Sequence, residues 1–204
     1  MKKDYILLIF AKDPFSGNVK TRLGVTAASA SAISAQFLEF TLEKFNSIPR
    51  ALWCYPDKES VYFRKLKQSL PLFSQRGDDL GENMKNAIEY HLQEYNKVLL
   101  IGTDCPDIGL SHLQTCLTLL DSVKTVFIPA EDGGYVLLGV NGHLPPIFQG
   151  ISWGTSSVLS ESLALLPAGE YAAVEPMKDM DRASDLPYFQ EKFPFLFAEK
   201  QFKN

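Results

Sequence analysis

The stretch Gly102-Thr103-Asp104-Cys105-Pro106-Asp107 follows an apolar run, Val98 to Ile101, so that a glycine ends the run, a carboxylate follows and a proline stops continuation. A buried strand delivers an acid in this way to the carboxyl edge of a sheet, the edge at which open α/β folds bind ligands. A second acidic stretch, Glu131-Asp132-Gly133-Gly134-Tyr135, follows the apolar Val126-Phe127-Ile128-Pro129. Acids at two strand ends, one of them beside a Gly-Gly pair, point to a site for a metal and a phosphorylated ligand. Mg²⁺ or Mn²⁺ takes one or two carboxylates, water and the substrate's phosphates. In this reading Asp104 is the metal ligand and Asp107 contacts the helix that follows. Glu131 or Asp132 serves as a general base toward a hydroxyl, or supports the metal from behind. Gly133 and Gly134 suit a turn of positive φ or the close pass of a ligand; the plainer reading is a tight turn whose acids are solvated.

Cations stand in the loop Ala11 to Leu23, just after the first apolar run. Lys20 and Arg22 can clamp diphosphate oxygens there, with Gly17 permitting backbone approach; the alternative is two solvated charges on a turn. The loop is not G-x-x-x-x-G-K-[ST], and the chain has no G-x-G-x-x-G, so a P-loop and a dinucleotide site are both disfavoured. Arg76-Gly77-Asp78-Asp79-Leu80-Gly81 is a second candidate wall of a nucleotide pocket, or simply the way into a helix. Asp181, in Asp179-Met180-Asp181, could complete the metal site from across the cleft; spacing alone favours an N-cap, with Asp181 or Ser184 capping the last helix. Trp153 lies between Ser152 and Gly154, where an aromatic either stacks on a ligand or packs.

These residues need strands to carry them. Tyr5–Phe10, Ala51–Tyr55, Leu72–Gln75, the run ending at Gly102, Thr125–Pro129, Tyr135–Val140 and Tyr171–Val174 read as strands. Helical spacing appears over Ala27–Phe45 behind Thr26, Val61–Leu70, Glu82–Tyr95, from near Ser111 through Leu120, Thr155–Leu166 and from about Ala183. Strands alternating with helices predict a mostly parallel sheet covered on both faces. No internal repeat or long linker interrupts the pattern, so residues 1–204 are expected to form one domain.

Composition narrows the classes. Twenty Lys and Arg against 24 Asp and Glu give a formal net charge of −4. That balance disfavours general nucleic-acid binding, which needs a basic field. Three scattered cysteines and three separated histidines make neither a disulfide framework nor a zinc motif. The apolar run at the N-terminus, Tyr5 to Phe10, is too short for a signal or a membrane span, so a cytoplasmic protein is expected.

Lys20-Thr21-Arg22-Leu23, Gln75-Arg76-Gly77-x-Asp79-Leu80-Gly81, Gly102-x-Asp104-Cys105-Pro106, Pro129-Ala130-Glu131-Asp132-Gly133-Gly134-Tyr135, Trp153-Gly154-Thr155 and Asp179-x-Asp181 occur in this order over residues 5 to 187. The order resembles a bacterial family of nucleotide-diphospho-sugar transferases with the glycosyltransferase A fold. The resemblance implies a Rossmann-like, three-layer α/β/α domain with a mixed, mostly parallel sheet. It implies nucleotide contacts from Lys12, Gly17, Lys20, Arg22, Arg76, Asp79 and Gly81, and Mg²⁺ or Mn²⁺ at Asp104 and Asp181. Glu131 and Asp132 would be the catalytic acids; Gly133, Gly134, Tyr135 and Trp153 would meet the acceptor. The spacing Asp104-Cys105-Pro106-Asp107 is D-x-x-D where well-studied glycosyltransferases carry D-x-D. The expected activity is metal-dependent transfer of a sugar from a sugar nucleotide to a small acceptor hydroxyl. The alternatives are a nucleotidyltransferase, in which a phosphorylated small molecule attacks a nucleoside triphosphate and pyrophosphate leaves, and a nucleotide-binding module without catalysis.

Overall fold

Ten consecutive residues, Lys3–Lys12, form the central strand β1, whose interior from Ile6 to Ala11 is buried throughout. The computed structural model describes residues 1–17, 19–66 and 70–198. After β1 come α1 (Ala27–Lys44), β2 (Arg50–Tyr55), α2 (Val61–Leu66), β3 (Leu72–Ser74), α3 (Leu80–Leu92), β4 (Tyr95–Ile101), α4 (Leu110–Leu119), β5 (Thr125–Pro129), β6 (Tyr135–Asn141), α5 (Val158–Ala164), β7 (Tyr171–Ala173) and α6 (Leu186–Lys192). The strands form a sheet in the order β3-β2-β1-β4-β6-β5-β7. β1 pairs in parallel with β2 and β4, β2 with β3, and β5 with β7, while β6 runs antiparallel to both β4 and β5. The expected three-layer, mostly parallel mixed sheet is the architecture found.

A strand buried on both faces divides its side chains between two cores. Leu7, Ile9 and Ala11 of β1 pack with Leu38 and Leu42 of α1, Phe63 of α2 and Leu113 and Leu117 of α4. Ile6, Leu8 and Phe10 pack on the other face with Met84 and Ile88 of α3, and Leu159 and Leu163 of α5 lie against the same core. A third core lies outside these layers: Leu23, Ile33 and Phe37 meet Met180, Phe189 and Leu196. It joins the start of α1 to α6, so that the last residues of the fold close over the first loop.

Where elements differ from expectation, local hydrogen bonds account for it. α1 begins as expected, with Thr26 accepting from the Ser29 N–H at 3.2 Å. α5 begins at Val158 rather than Thr155, because the Thr155 hydroxyl is turned back to the Ser152 carbonyl at 2.7 Å and accepts from the Ser157 N–H. The expected helix over Val61–Leu70 is helical through Leu66, and its residues 67–69 lie outside the described residues. Among the described residues no helix is long and apolar enough to cross a membrane.

His91 of α3 is 5% exposed and packs among the rings of Trp53, Phe73, Tyr90 and Tyr95. The Trp53 indole donates to its Nε2 at 3.3 Å, which requires a neutral imidazole. Burial pushes its pKa down to about 4. A histidine depressed in the folded state takes up its proton more readily when unfolded, so its contribution is full above pH 6.5 and is lost as pH falls toward 4. Between pH 7 and pH 5 this group is expected to cost about 2 kcal/mol of stability. Urea unfolding of the protein and of His91→Phe at both pH values checks this, since the variant shares every other titrating group. An equal loss in both proteins would refute it.

Candidate active site

The order of the strands reverses at β1. The chain moves outward through β2 and β3, then returns on the other side of β1 as β4. The loops leaving β1 and β4 therefore part from one another at the carboxyl edge, opening a crevice. β6 is antiparallel, so its first residue lies at that same edge and the turn from Ala130 to Gly134 joins the site directly. Two hollows meet there. The larger, about 560 Å³, is lined by Lys12, Lys20, Tyr55, Gln75, Asp79 and Asp104 among others. The smaller, about 360 Å³, is lined by Arg22, Asp132, Tyr135, Trp153, Asp179 and Asp181 among others. Phe10, Leu80 and Gly102 line both.

Lys20 holds the crevice in shape. Its backbone is left-handed, with φ 46°, a conformation that costs a residue with a Cβ roughly 1–2 kcal/mol. The turn drives the side chain inward, where 5% of it is exposed. Its Nζ lies 2.8 Å from Asp104 Oδ1, donates to the Met180 carbonyl at 3.1 Å and stands 5.0 Å from the centre of the Phe37 ring. Arg22, which is mostly exposed, donates from Nη1 to Asp181 Oδ2 at 3.1 Å. Each cation expected at the phosphates thus meets an acid expected at the metal.

The turn carrying Asp179 and Asp181 is pinned through the residue between them. Met180 is fully buried in the third core, and its N–H donates to the Asp104 carbonyl at 2.9 Å. Capping falls to neither Asp181 nor Ser184: Asp185 Oδ2 accepts the N–H groups of Asp181 at 3.1 Å and Arg182 at 2.7 Å. The Asp181 carboxylate is left for Arg22. Asp179 was not among the expected site residues, yet it lines the smaller hollow. Burial pushes its carboxyl up to about 6, and repulsion from Asp132, Asp104 and Asp181 adds to the rise. The signal was present in the sequence: an apolar residue between two acids, once buried, turns both acids away from the core.

The turn after β5 separates its two acids. Asp132 lines the smaller hollow and its Oδ1 accepts the Gly134 N–H at 3.0 Å. Glu131 faces elsewhere, into a third hollow with Asp107, His112 and Lys192, where it accepts from Lys178 at 3.4 Å. Gly133 has φ 95°, and a Cβ there would lie 2.1 Å from the Ser156 carbonyl oxygen, so its role is close backbone packing. Gly134 and Tyr135 line the smaller hollow. Trp153 does too, seated on α3: a Cβ on Gly81 would lie 2.4 Å from its Nε1. Gly81 serves this seat and lines neither hollow.

The remaining expected nucleotide contacts divide. Lys12 lines the larger hollow with its Nζ 5.6 Å from the Tyr55 ring centre. Asp79 lines it while capping α3, accepting the Glu82 N–H at 2.8 Å. Arg76 and Gly17 line neither hollow; the Arg76 carbonyl accepts from Asn86 at 2.7 Å. Asp107 does not cap α4, whose N-cap is Gly109. It binds α6 instead, through Lys192 and through the Tyr188 hydroxyl at 2.9 Å. No group of three or more His, Cys, Asp or Glu among the described residues forms a ready-made metal cage.

The seven-strand mixed sheet with helices on both faces is a fold that this chain shares with a nucleotide-diphospho-sugar transferase-like protein and with cytidylyltransferases. The chain belongs to DUF2064, a family described as uncharacterised proteins conserved in bacteria, whose profile matches residues 38–155. A Desulfovibrio desulfuricans G20 protein, provisionally described as a nucleotide-diphospho-sugar transferase, is similar at 26% identity over 97% of each chain, with a TM-score of 0.82. The 4-diphosphocytidyl-2C-methyl-D-erythritol synthase of Anaerococcus prevotii DSM 20548 shares the fold at 12% identity and a TM-score of 0.61, over 94% of this chain and 96% of that one. A cytidylyltransferase from Leptospira borgpetersenii does so at 13% and 0.53, over 98% and 99%. No curated protein matches the chain.

Buried and set among other acids, the charged form of Asp179 works against folding. Asp179→Asn removes this charge and is expected to stabilise the protein by on the order of 1 kcal/mol at pH 7.5, after screening by solvent. For a chain of this size that is a rise of about 2–4 °C in melting midpoint. Calorimetry of the two proteins tests it; a lower midpoint in the variant would show that the acid cluster is not strained.

Proposed function

We propose that the protein is a transferase that takes a nucleoside-diphosphate sugar in the larger hollow and moves the sugar to a hydroxyl held in the smaller one. The observation that carries this reading is the meeting of the two hollows at Gly102, with Asp104 on the shared side. A nucleotide lying across the β1/β4 switch puts its diphosphate beside Asp104, Lys20 and Arg22. Lys20, bound to Asp104 and Met180 and set over the Phe37 ring, would lend its positive charge to the diphosphate from the wall of the larger hollow. Arg22 is exposed enough to leave Asp181 for a phosphate oxygen.

Asp104 and Asp181 would hold Mg²⁺ or Mn²⁺. Their hard oxygen donors suit such an ion, and with fewer than three clustered protein ligands its shell would be completed by phosphate and water. When bound, the ion neutralises the departing diphosphate, so that the leaving group needs no proton. Asp132 then takes the proton from the acceptor hydroxyl as its oxygen bonds to the sugar's anomeric carbon. The bond from that carbon to the diphosphate breaks, and the electron pair leaves with the diphosphate. Asp132 suits this role because it faces the smaller hollow, whereas Glu131 is held by Lys178 on the far side of the turn.

Thermal-shift titration with uridine, guanosine and cytidine diphosphate sugars, each with and without Mn²⁺ or Mg²⁺, tests the reading. At least one donor is expected to raise the melting midpoint, more so with metal. Asp104→Asn is expected to lose the metal-dependent part and to lower sugar transfer by about 100-fold or more. Unchanged turnover in that variant, or no response to any nucleotide, would sink the proposal. Pyrophosphate release from a nucleoside triphosphate would instead assign nucleotidyl transfer.

A further inference from the structure

The smaller hollow has a chemical character of its own. Its lining is largely apolar, with Phe10, Met84, Leu100, Val136 and Trp153 among the residues that form it. Asp132, Asp179 and Asp181 line it too. Among the described residues that line it, Arg22 is the one cation, and Asp181 already binds it at 3.1 Å. The lysine that comes nearest along the chain, Lys178, lines the separate third hollow and is engaged by Glu131 and Asp185. With Arg22 paired to Asp181, whose Oδ2 also lies 3.8 Å from Arg182 Nε, the carboxylates of Asp132 and Asp179 remain without a partner cation among the described residues.

A bound donor does not reverse this balance. A divalent ion contributes two positive charges, and a nucleoside diphosphate together with the two carboxylates that would hold the ion contributes at least as many negative ones. A phosphate monoester placed in the hollow would therefore face net negative charge in a space walled by low-dielectric side chains, where repulsion is poorly screened. The same walls favour an apolar ring or chain. Tyr135 lines the hollow as well.

We infer that the second substrate is a phosphate-free molecule, neutral or cationic, with an apolar or aromatic body that carries the accepting hydroxyl. The inference rests on the proposed transferase reading and separates it from reactions in which a phosphorylated small molecule is the partner. The selectivity comes from repulsion as much as attraction, since Arg22, the one cation among the described lining residues, is taken up by Asp181 or, with donor bound, by the donor's own diphosphate.

Three probes with one body test it: 2-phenylethanol, 2-phenylethylamine and 2-phenylethyl phosphate, each titrated against the full chain at pH 8 by ligand-observed NMR. The alcohol and the amine are expected to bind at least about tenfold more tightly than the phosphate ester. Trp153→Ala is expected to weaken the alcohol, which places the probe in this hollow. In Asp132→Asn/Asp179→Asn the gap between alcohol and phosphate ester is expected to close to within about threefold. Equal or tighter binding of the phosphate ester by the unaltered protein would overturn the inference. So would a gap that survives the double substitution, binding indifferent to Trp153→Ala, or no binding of any probe. The nucleotide titration is read separately. A chain stabilised by a sugar nucleotide that also welcomes the phosphate ester loses this inference alone. One that discriminates among the probes but answers to no nucleotide loses the transferase reading and keeps the charge preference of the hollow.

Discussion

An ammonium group with 5% of its side chain exposed must find partners on every side, or the region around it does not fold. Lys20 finds them on three separate parts of the chain: the Phe37 ring of α1, the Asp104 carboxylate after β4 and the Met180 carbonyl before α6. The first loop, the strand-end acid and the late acidic turn are thereby held in one arrangement by a single side chain. Asp104 is half exposed, so water still reaches its outer oxygen and the pair avoids the full cost of burying two charges. The left-handed backbone at Lys20 is the local cost of aiming the side chain inward.

The third core makes that arrangement durable. Met180, Phe189 and Leu196 pack against Leu23, Ile33 and Phe37, outside the two layers that sandwich the sheet. Burying Met180 sets the direction of its neighbours, and Asp185 caps the turn so that Asp181 is not consumed in doing so. Asp107, through Lys192 and Tyr188, ties α6 to the loop after β4 from the other side. The C-terminal part of the fold is thus a clamp on the acids rather than an appendage. It explains why a site made of strand-end loops is built partly from residues after the last strand.

Much of this was legible in the sequence, because the signals are local. Uninterrupted apolar runs marked the strands, and glycine, acid and proline marked their ends at Asp104 and Asp132. What the sequence could not carry is direction and distance. Lys20 and Asp104 lie 84 positions apart, and nothing local says that the lysine turns inward. Glu131 and Asp132 are equivalent as letters but line different hollows, because they occupy the two central places of a turn closed by the Gly133 N–H on the Ala130 carbonyl. Gly81 looked like a place for a phosphate and is instead the seat of an indole, a contact set by a residue in a distant loop. Asp179 was passed over because its importance follows from the burial of its neighbour, which only the third core decides.

The reversed strand β6 has a consequence for how the site comes into being. The loops after β1 and β4 reach their places only when distant segments have paired, and closing so long a loop is entropically slow. The turn from Ala130 to Gly134 instead joins two strands that pair with each other directly, Thr125 opposite Val140 and Ile128 opposite Leu137. Its register is dictated by neighbours in sequence, so this corner of the crevice carries a smaller loop-closure cost than the loops after β1 and β4. Asp132 therefore sits where the site is joined most locally, whereas the cation loop depends on partners 84 and 160 positions away.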